Sequence, residues 1–357
     1  MLKSSRADTI FLTYEWIKSW VELVKEKIDP YIITIRDANG DLQGIAPFYM
    51  TRTCFIRGMN YRTLRIMGDD STGAEYLDWI ANKDRDEDIY KEIALALSRN
   101  SGDWDCAWMP NVANWTGARD RILTACGEAR FYQHSRSRDF ACFMLPETME
   151  EFVAALSGNR RSQLRRQLKK VFGEGAAVVA RCEYAGDIHG FLESLFDLHR
   201  RRWKSVGEEG SFVKKPFRTL FYRRFCEAAF QKGWLRLFGL RCGSKFKAIQ
   251  IGYVYNGVFH QMQEGFDPDY FEGAGNALRY KVIEACIEEG LKAYDFLGEM
   301  TEHKRRWTAK RREGCDLFIG RKGWKNTLLF FREIWPGGRF LRPLDLYHGY
   351  AAGCEAQ

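Results

Sequence analysis

Residues 258–307 constrain the fold more than any other stretch of the sequence. The run 258–264 predicts a strand, and turn-forming residues separate it from a small glycine-rich loop at 272–276. Residues 277–289 place apolar side chains at helical spacing, and residues 293–297 predict a second strand. The sequence therefore predicts a strand, a glycine loop, a helix and a strand in succession.

The glycine loop is a candidate anion site. It places Gly273, Ala274, Gly275 and Asn276 directly before the predicted helix. The first amides of a helix lack partners within the helix, and the helix dipole adds partial positive charge there, so a phosphate that approaches over glycines is stabilised. The alternative is a turn that needs glycine only for its shape, and the loop by itself does not decide between the two.

Length and charge limit the classes of function. The chain has 357 residues, of which 45% are hydrophobic, and this is enough for two domains with their own cores. Its net charge of +8 favours acidic ligands such as phosphates, nucleotides or CoA, and is too modest to indicate DNA binding. The cysteines and histidines show no metal-site spacing, and no signal peptide or long apolar run is present, so we expect a cytoplasmic protein without a metal.

The order of the predicted elements divides the chain into three parts. Residues 1–147 mix strands and helices, and we expect an α/β domain there. Residues 148–320 predict the order α–β–α–α–β–β–β–α–β, which forms a second α/β domain. Residues 321–357 contain an aromatic segment that we expect to be a helix docked on the body of the protein. A helix at a membrane interface is the alternative, which we do not favour.

A basic segment follows the predicted start of the second domain. It contains six cations and no acid, and Leu164, Leu168 and Val171 form an apolar stripe beside them. The cations are Arg160, Arg161, Arg165, Arg166, Lys169 and Lys170. One interpretation is a solvated helix face, and the other is an electrostatic funnel for a phosphorylated ligand. RNA or an anionic membrane surface is less favoured, because few aromatic residues lie between the cations.

The second half of the chain resembles the core of GNAT acyltransferases, in which a loop with the pattern Gln/Arg-x-x-Gly-x-Gly/Ala holds the diphosphate of CoA. Gly273 and Gly275 match this pattern, whereas Tyr270 stands at its basic or amide position. Nearly the whole chain resembles the acetyltransferases associated with bacterial cellulose biosynthesis (the CelD/BcsL type), a tandem GNAT family related to the Fem-type aminoacyltransferases. The matching segments are 44–47, 64–68, 75–78, 160–170, 198–199 with 202–203, 265–268, and 294–298 with Lys304 and Trp307.

The resemblance implies an α/β (α+β) fold of two tandem GNAT-like domains with mixed central sheets. The first domain would be a degenerate copy, and the second would bind acyl-CoA as a co-substrate, with no prosthetic group. Met262, Gln263 and the glycine loop are the residues expected to contact CoA. The activity implied is direct transfer of an acyl group, most simply acetyl, to an amine of a sugar, an amino acid or another polar metabolite in polysaccharide biosynthesis.

Four residues are candidates for the chemistry. Glu264 ends its strand beside the expected thioester and is our first choice for a general base; the alternative is a carboxylate paired with a nearby arginine. Asp295 lies in an apolar strand, so it needs a cation partner, for which Lys304 or Arg306 is a candidate; the alternative to a catalytic role, slightly favoured, is a purely architectural pair. We expect Glu299 to contact the acceptor, and Lys304 to bind an acceptor carboxylate or a CoA phosphate. His303 stands where the family usually has tyrosine.

Two other functions stay open. A Fem-like transferase would take its acyl group from an aminoacyl-tRNA, and the basic segment at 160–170 would then hold RNA with a steep dependence on salt. A non-catalytic accessory protein of envelope polysaccharide assembly would use the fold and the aromatic tail for docking. Acyl-CoA binding with turnover would exclude the second of these.

Overall fold

The structure, a computed structural model, describes residues 1–56, 58–69, 72–174 and 176–334. The strands are β1 Asp29–Arg36, β2 Leu42–Ile56, β3 Met59–Ile66, β4 Ile80–Ala81, β5 Cys106–Ala113, β6 Tyr132–Met144, β7 Val178–Arg181, β8 Leu235–Cys242, β9 Lys245–Tyr255, β10 Val258–Phe266, β11 Ala293–Asp295 and β12 Lys310–Gly320. The helices are α1 Tyr14–Val24, α2 Asp86–Arg99, α3 Ala118–Glu128, α4 Met149–Ala155, α5 Gly158–Leu168, α6 Ile188–Ser205, α7 Ser211–Lys214, α8 Phe217–Gln231, α9 Ala274–Glu288, α10 Glu302–Arg305 and α11 Trp324–Ile334.

The chain divides into two compact units. The first unit contains Met1–Arg138 and the C-terminal segment from Glu313 onwards, and the second contains Asp139–Arg312. The chain passes from one unit to the other at 138/139 and at 312/313, whereas the domain limits expected from the sequence are 147/148 and 320/321. The two compact units are defined by contacts within the structure. The expected limits concern homologous domains, so they stay predictions.

The first unit has a mixed sheet in the order β1–β2–β3–β5–β12, with β4 beside β2. The pair β3–β5 is parallel, and the pairs β1–β2, β2–β3 and β5–β12 are antiparallel. Its core is aromatic, with fully buried indole rings at Trp16, Trp20, Trp79 and Trp104. Such rings bury a large apolar area each, which stabilises the unit.

The aromatic helix near the C-terminus, α11, belongs to the first unit. Its Leu329 and Phe330 are buried in a cluster that includes Phe55, Tyr61 and Phe318. The expectation that the tail 321–357 is a docked helix stays a prediction, because residues 335–357 lie outside the described residues.

The second unit has a mixed sheet in the order β6–β11–β10–β9–β8–β7. Strands β10 and β11 are parallel, and the other neighbours are antiparallel. Helix α6 packs on β8, β9 and β10, and α9 packs on the same three strands. Gly265 of β10 faces the backbone of α6, whereas the preceding Glu264 contacts α9. Successive strand residues point to opposite faces, so helices cover both faces of this sheet. The prediction of an α/β fold with mixed sheets is confirmed.

Gly265 permits the close packing of α6 on β10. A Cβ atom at this position would lie 2.6 Å from the backbone nitrogen of His199 and 3.1 Å from the carbonyl oxygen of Leu195, and backbone atoms have no other rotamer to adopt. We expect Gly265→Ala to lower the free energy of unfolding by about 1–3 kcal/mol, the usual cost of overpacking a core.

A second glycine provides the matched control for this prediction. Gly190 lies in α6 with open space where a methyl group would be added, and its backbone is not left-handed. Gly190→Ala should raise the free energy of unfolding by about 0.5–1 kcal/mol, because alanine loses less conformational entropy in a helix. Urea titration of the two variants measures both effects, and equal changes of one sign in both would contradict the packing argument.

No helix within the described ranges is both long and apolar enough to cross a membrane. In the same part of the chain, no group of three or more His, Cys, Asp or Glu side chains is arranged to hold a metal ion.

Candidate active site

The parallel strands β10 and β11 separate after a short paired stretch. They pair from Val258 to His260, after which β11 ends while β10 continues beside β9. Just beyond the last paired residue, Met262 is an extra residue in β10 with no partner in β9. A bulged residue is left out of the ladder and bends its strand. We call the edge of β10 beyond the end of β11 the β10–β11 gap, and we expect backbone groups of β10 to be accessible to a ligand there.

The loop after β11 is held by one carboxylate and two cations. Asp295 is buried; it accepts from the Leu297 backbone N–H at 2.9 Å and forms an ion pair of 2.5 Å with Arg312. Leu297 has a left-handed backbone with φ of 54°, and the Lys304 ammonium donates to its carbonyl oxygen. The expected carboxylate–cation pair is therefore present, with Arg312 as the cation in place of the two candidates expected from the sequence. Lys304 helps to fix the loop after β11.

Glu264 lies between guanidinium groups at the edge of the gap. Arg279 of α9 donates to its Oε2, Gln261 donates to the same oxygen at 3.2 Å, and Arg202 of α6 lies 3.7 Å from Oε1. Burial raises the pKa of Glu264, but the charges of Arg279 and Arg202 outweigh burial and hold this pKa below its ordinary value. A carboxylate with a lowered pKa is a weak base, so the geometry corresponds to the arginine-paired alternative.

A series of buried hydrogen bonds between side chains orients Glu264. The Gln250 amide donates to the Tyr294 hydroxyl at 2.6 Å, and that hydroxyl donates to Gln261 Oε1 at 2.7 Å. Gln261 in turn donates to Glu264. Connected hydrogen bonds fix side chains more firmly than isolated ones, so the Glu264 carboxylate is rigid before any ligand binds.

His303 takes part in the same cluster. Its Nε2 lies 2.6 Å from Nη1 of Arg279. A guanidinium only donates, so Nε2 accepts and the imidazole carries its proton on Nδ1. Burial, with the charge of Arg279, lowers the pKa of His303 to about 4, which keeps the ring neutral near pH 7. The structure thus places a neutral hydrogen-bond donor where the resembled family usually has a tyrosine hydroxyl.

The glycine loop forms the first turn of α9. Gly273 is the N-cap with φ of 89°, so Ala274, Gly275 and Asn276 are helical, three residues before the expected start of the helix. The side chain of Gln167 from α5 lies directly against Gly273, and its Oε1 accepts from the Asn276 amide at 3.2 Å. Side chains of α5 therefore cover part of the predicted diphosphate site.

Arg160 is the other α5 residue at this turn. Its guanidinium donates to Asn276 Oδ1 at 3.2 Å and to Gln163 Oε1 at 2.9 Å, and it lies over the ring of Trp307 at 4.4 Å. Burial and the charge of Arg279 lower the pKa of Arg160 to about 10. The arginines of the run 160–170 thus divide into one buried cation at the site and others on the surface, including Arg165 and Arg166.

The remaining sequence-predicted site residues differ in where they lie. Met262 is at the bulge beside the gap. Gln263 hydrogen-bonds the Tyr222 side chain of α8, so it points to the sheet face away from α9. Glu299 lies exposed in the bend that follows β11. Met262 and Gln263 both lie in the part of β10 that runs on beyond its pairing with β11, whereas Glu299 does not.

Arg279 is a site residue that the sequence patterns above do not single out, although a signal exists. It is a cation placed on the buried stripe of α9, three and four residues before Val282 and Ile283. A charge on an apolar stripe costs free energy unless it is paired, so its presence indicates a buried partner. No sequence pattern indicates the role of Gln167 in the same way. Its contact with Gly273 joins two segments that are far apart in the sequence.

A family model described as "Acetyltransferase (GNAT) domain" matches residues 158–305, which lie within the second unit. No curated protein matches the sequence. Among solved structures, FemX is similar over 92% of this chain and 96% of its own, with a TM-score of 0.65 and 11% identity.

Two further solved structures share the fold. The C-terminal domain (DUF2156) of a putative lysylphosphatidylglycerol synthetase from Agrobacterium fabrum is similar over 91% of this chain and 98% of its own, with a TM-score of 0.52 and 11% identity. L-PGS from Bacillus licheniformis is similar over 89% and 96%, also with a TM-score of 0.52 and 11% identity. At these identities the likeness shows the fold alone. The family match covers less than half of the chain, and it shows that residues 158–305 are similar to a GNAT acetyltransferase domain.

Proposed function

We propose that the second unit is an acyl-CoA-dependent N-acyltransferase, which moves an acyl group from CoA to an amine of a sugar, an amino acid or another polar metabolite. The observation that carries this proposal is the β10–β11 gap: β11 ends while the parallel strand β10 runs on towards the loop that leads to α9, in the part of the chain that matches the GNAT model. An extended ligand adds to an exposed strand edge through backbone hydrogen bonds. The pantetheine arm of CoA has amides that suit such an edge.

The reaction needs no covalent enzyme intermediate. The acceptor nitrogen attacks the thioester carbonyl, a C–N bond forms, the C–S bond breaks, and the proton lost by the amine neutralises the leaving thiolate. Holding both partners in contact supplies much of the acceleration. The backbone around Met262 adjoins the thioester in this arrangement, and a backbone N–H directed at the carbonyl oxygen stabilises the charge that develops there.

In this proposal, the cluster around Glu264 binds and orients the amine acceptor. The Glu264 carboxylate is rigid and ionised, so it orients the neutral amine by accepting a hydrogen bond from its N–H and does not remove its proton. His303 presents its Nδ1–H, Lys304 holds the loop after β11, and Glu299 lies exposed in the bend that follows this strand. The class of acceptor and the link to polysaccharide biosynthesis follow from the sequence resemblance, and they belong to the proposal.

CoA binding tests the proposal through Gly275. Calorimetric titration with CoA and with acetyl-CoA should give saturable binding to the wild-type protein. A side chain at Gly275 would meet Phe266 at 3.2 Å and occupy the entrance to the first turn of α9, so Gly275→Leu should weaken CoA binding at least tenfold.

The control for this titration is Gly102→Leu. Gly102 has open space around it, lies in the first unit and is not left-handed, so this variant should bind CoA within twofold of wild type. Absence of heat with every CoA derivative, or equal affinity in the two variants, would contradict the acyl-CoA proposal. A series of longer acyl-CoAs in the same titration identifies the acyl chain.

A second candidate function is aminoacyl transfer from a charged tRNA. The observation that favours it is the contact of Gln167 with Gly273, because it covers part of the first turn of α9, where a CoA diphosphate would lie. The four outward cations of α5 and the residues after it would then contact RNA: Arg165, Arg166, Lys169 and Lys170. Binding of an aminoacyl-tRNA with a steep salt dependence, together with no response to CoA, would favour this donor.

A further inference from the structure

The side chains around Trp307 contain three buried N–H donors that lack an acceptor. Arg160 and Arg279 lie over the Trp307 ring at 4.4 and 5.4 Å, and all three side chains are buried. Among the described residues, Arg160 Nε, Arg279 Nε and Trp307 Nε1 have no hydrogen-bond partner. A buried donor without a partner costs free energy, and three such donors in one contact cluster indicate a missing acceptor.

The same cluster has more positive than negative charge. Glu264 is the carboxylate that contacts Arg279, and it is shared with Arg202. In the described part of the chain, Arg160 forms no ion pair; it donates instead to the neutral side chains of Gln163 and Asn276. The first turn of α9, to which Asn276 belongs, adds the positive end of a helix dipole. A nearly buried guanidinium without a counter-charge is unfavourable, which makes an anion the group that would satisfy it.

We propose that Arg160, Arg279 and Trp307 form a binding site for an oxyanion of a substrate, a phosphate or a carboxylate. The donors suit this chemistry, because guanidinium groups bind both kinds of oxyanion through charged hydrogen bonds and the indole N–H supplies a further donor. The inference rests on the proposed function in one respect: the oxyanion would belong to the acyl donor or to the amine acceptor. It assigns to Arg160 the cationic role that Tyr270 does not fill in the glycine loop.

Titration of the whole chain with inorganic diphosphate and with acetate tests the site, with sodium chloride at matched ionic strength as the reference. We expect at least one of the two oxyanions to bind saturably and to raise the melting temperature above the chloride reference. Arg160→Met keeps the length of the side chain and removes the charge and the donors, so it should weaken that binding at least tenfold. Arg165→Met removes the same charge from the exposed face of α5 and should bind within twofold of wild type.

The two probes separate the sources of the oxyanion. Binding of diphosphate, with CoA affinity reduced in Arg160→Met and pantetheine affinity unchanged, assigns the site to the phosphates of a donor. Binding of acetate, with CoA affinity unchanged in Arg160→Met, assigns it to a carboxylate of the acceptor or of the acyl group. Either result can be obtained even if the protein shows no acyl transfer. Failure of the proposed function can therefore be distinguished from failure of the anion site.

Two results would overturn the site. If the wild-type chain responds to neither oxyanion beyond the chloride reference, water molecules satisfy the three donors and no anion site exists. If Arg160→Met binds as tightly as Arg165→Met, the binding arises from general positive charge. The wild-type titration decides the first point without any variant, so a variant that fails to fold does not leave the proposal untested.

Discussion

Replacing Arg279 with methionine should destabilise the protein more than any other single change at the candidate site. Arg279 is almost fully buried and contacts both Glu264 and His303. Its removal leaves the Glu264 carboxylate with Arg202 at 3.7 Å as its remaining cation. Breaking a buried ion pair from one side costs about 3–5 kcal/mol, and we expect a loss of about 3 kcal/mol in the free energy of unfolding because Arg202 remains.

A double-mutant cycle separates this loss from the loss of packing. Glu264→Gln should cost less than Arg279→Met, since a neutral amide still accepts from Arg279. The double variant Glu264→Gln with Arg279→Met should be more stable than Arg279→Met alone, because no carboxylate is left without its partner. Chemical denaturation at pH 7 measures all four proteins. If the two single losses simply add in the double variant, the guanidinium acts through packing on Trp307 and Phe296, and the electrostatic argument is wrong.

Much of the sheet in the second unit follows from local sequence patterns. The hairpin of β8 and β9 is predictable because a short turn joins two apolar runs. Strand β11 is shorter than predicted, since the backbone turns away at Leu297, where it is left-handed. Apolar patterning does not reveal this turn, because Asp295 and Lys304 hold it through contacts that are not periodic in the sequence.

The start of α9 shows a different limit of prediction from sequence. Two glycines within four residues predict a loop, because glycine is a poor helix former. The helix nevertheless includes Gly275, since the first turn is packed against Phe266 and covered by α5. Tertiary contacts here outweigh local propensity. The contacts of Arg160 and Gln167 with this turn join residues more than 100 positions apart, and a single sequence carries no periodic signal for them.

A buried carboxyl in the first unit should make stability depend on pH. Asp78 is almost fully buried; its Oδ1 accepts from the Tyr90 hydroxyl at 2.6 Å and from the Trp79 backbone N–H at 2.8 Å. Its Oδ2 has no hydrogen-bond partner among the described residues, and Arg121 stays 3.6 Å away. Burial raises the pKa of Asp78 to about 6, against the opposing effect of the Tyr90 hydrogen bond.

The sign of this dependence follows from the direction of the shift. Because the folded state holds the Asp78 proton more tightly than the unfolded chain, this group contributes stability that is complete below about pH 4 and lost above about pH 6. A shift of about two units corresponds to about 3 kcal/mol.

The variant Asp78→Asn tests this dependence, because it keeps an acceptor for Tyr90 and cannot ionise. Its free energy of unfolding, relative to that of wild type, should rise by about 3 kcal/mol between pH 4 and pH 7.5. Other carboxyls shift in the opposite direction, among them Asp105 and Asp267, so the difference between the two proteins is the quantity to measure. The exposed Asp120 supplies the control, since a substitution on the surface, Asp120→Asn, should change the free energy of unfolding by less than about 0.5 kcal/mol. A constant difference between wild type and Asp78→Asn across this range would show that Asp78 stays ionised in the fold, held by Arg121 through the 3.6 Å contact.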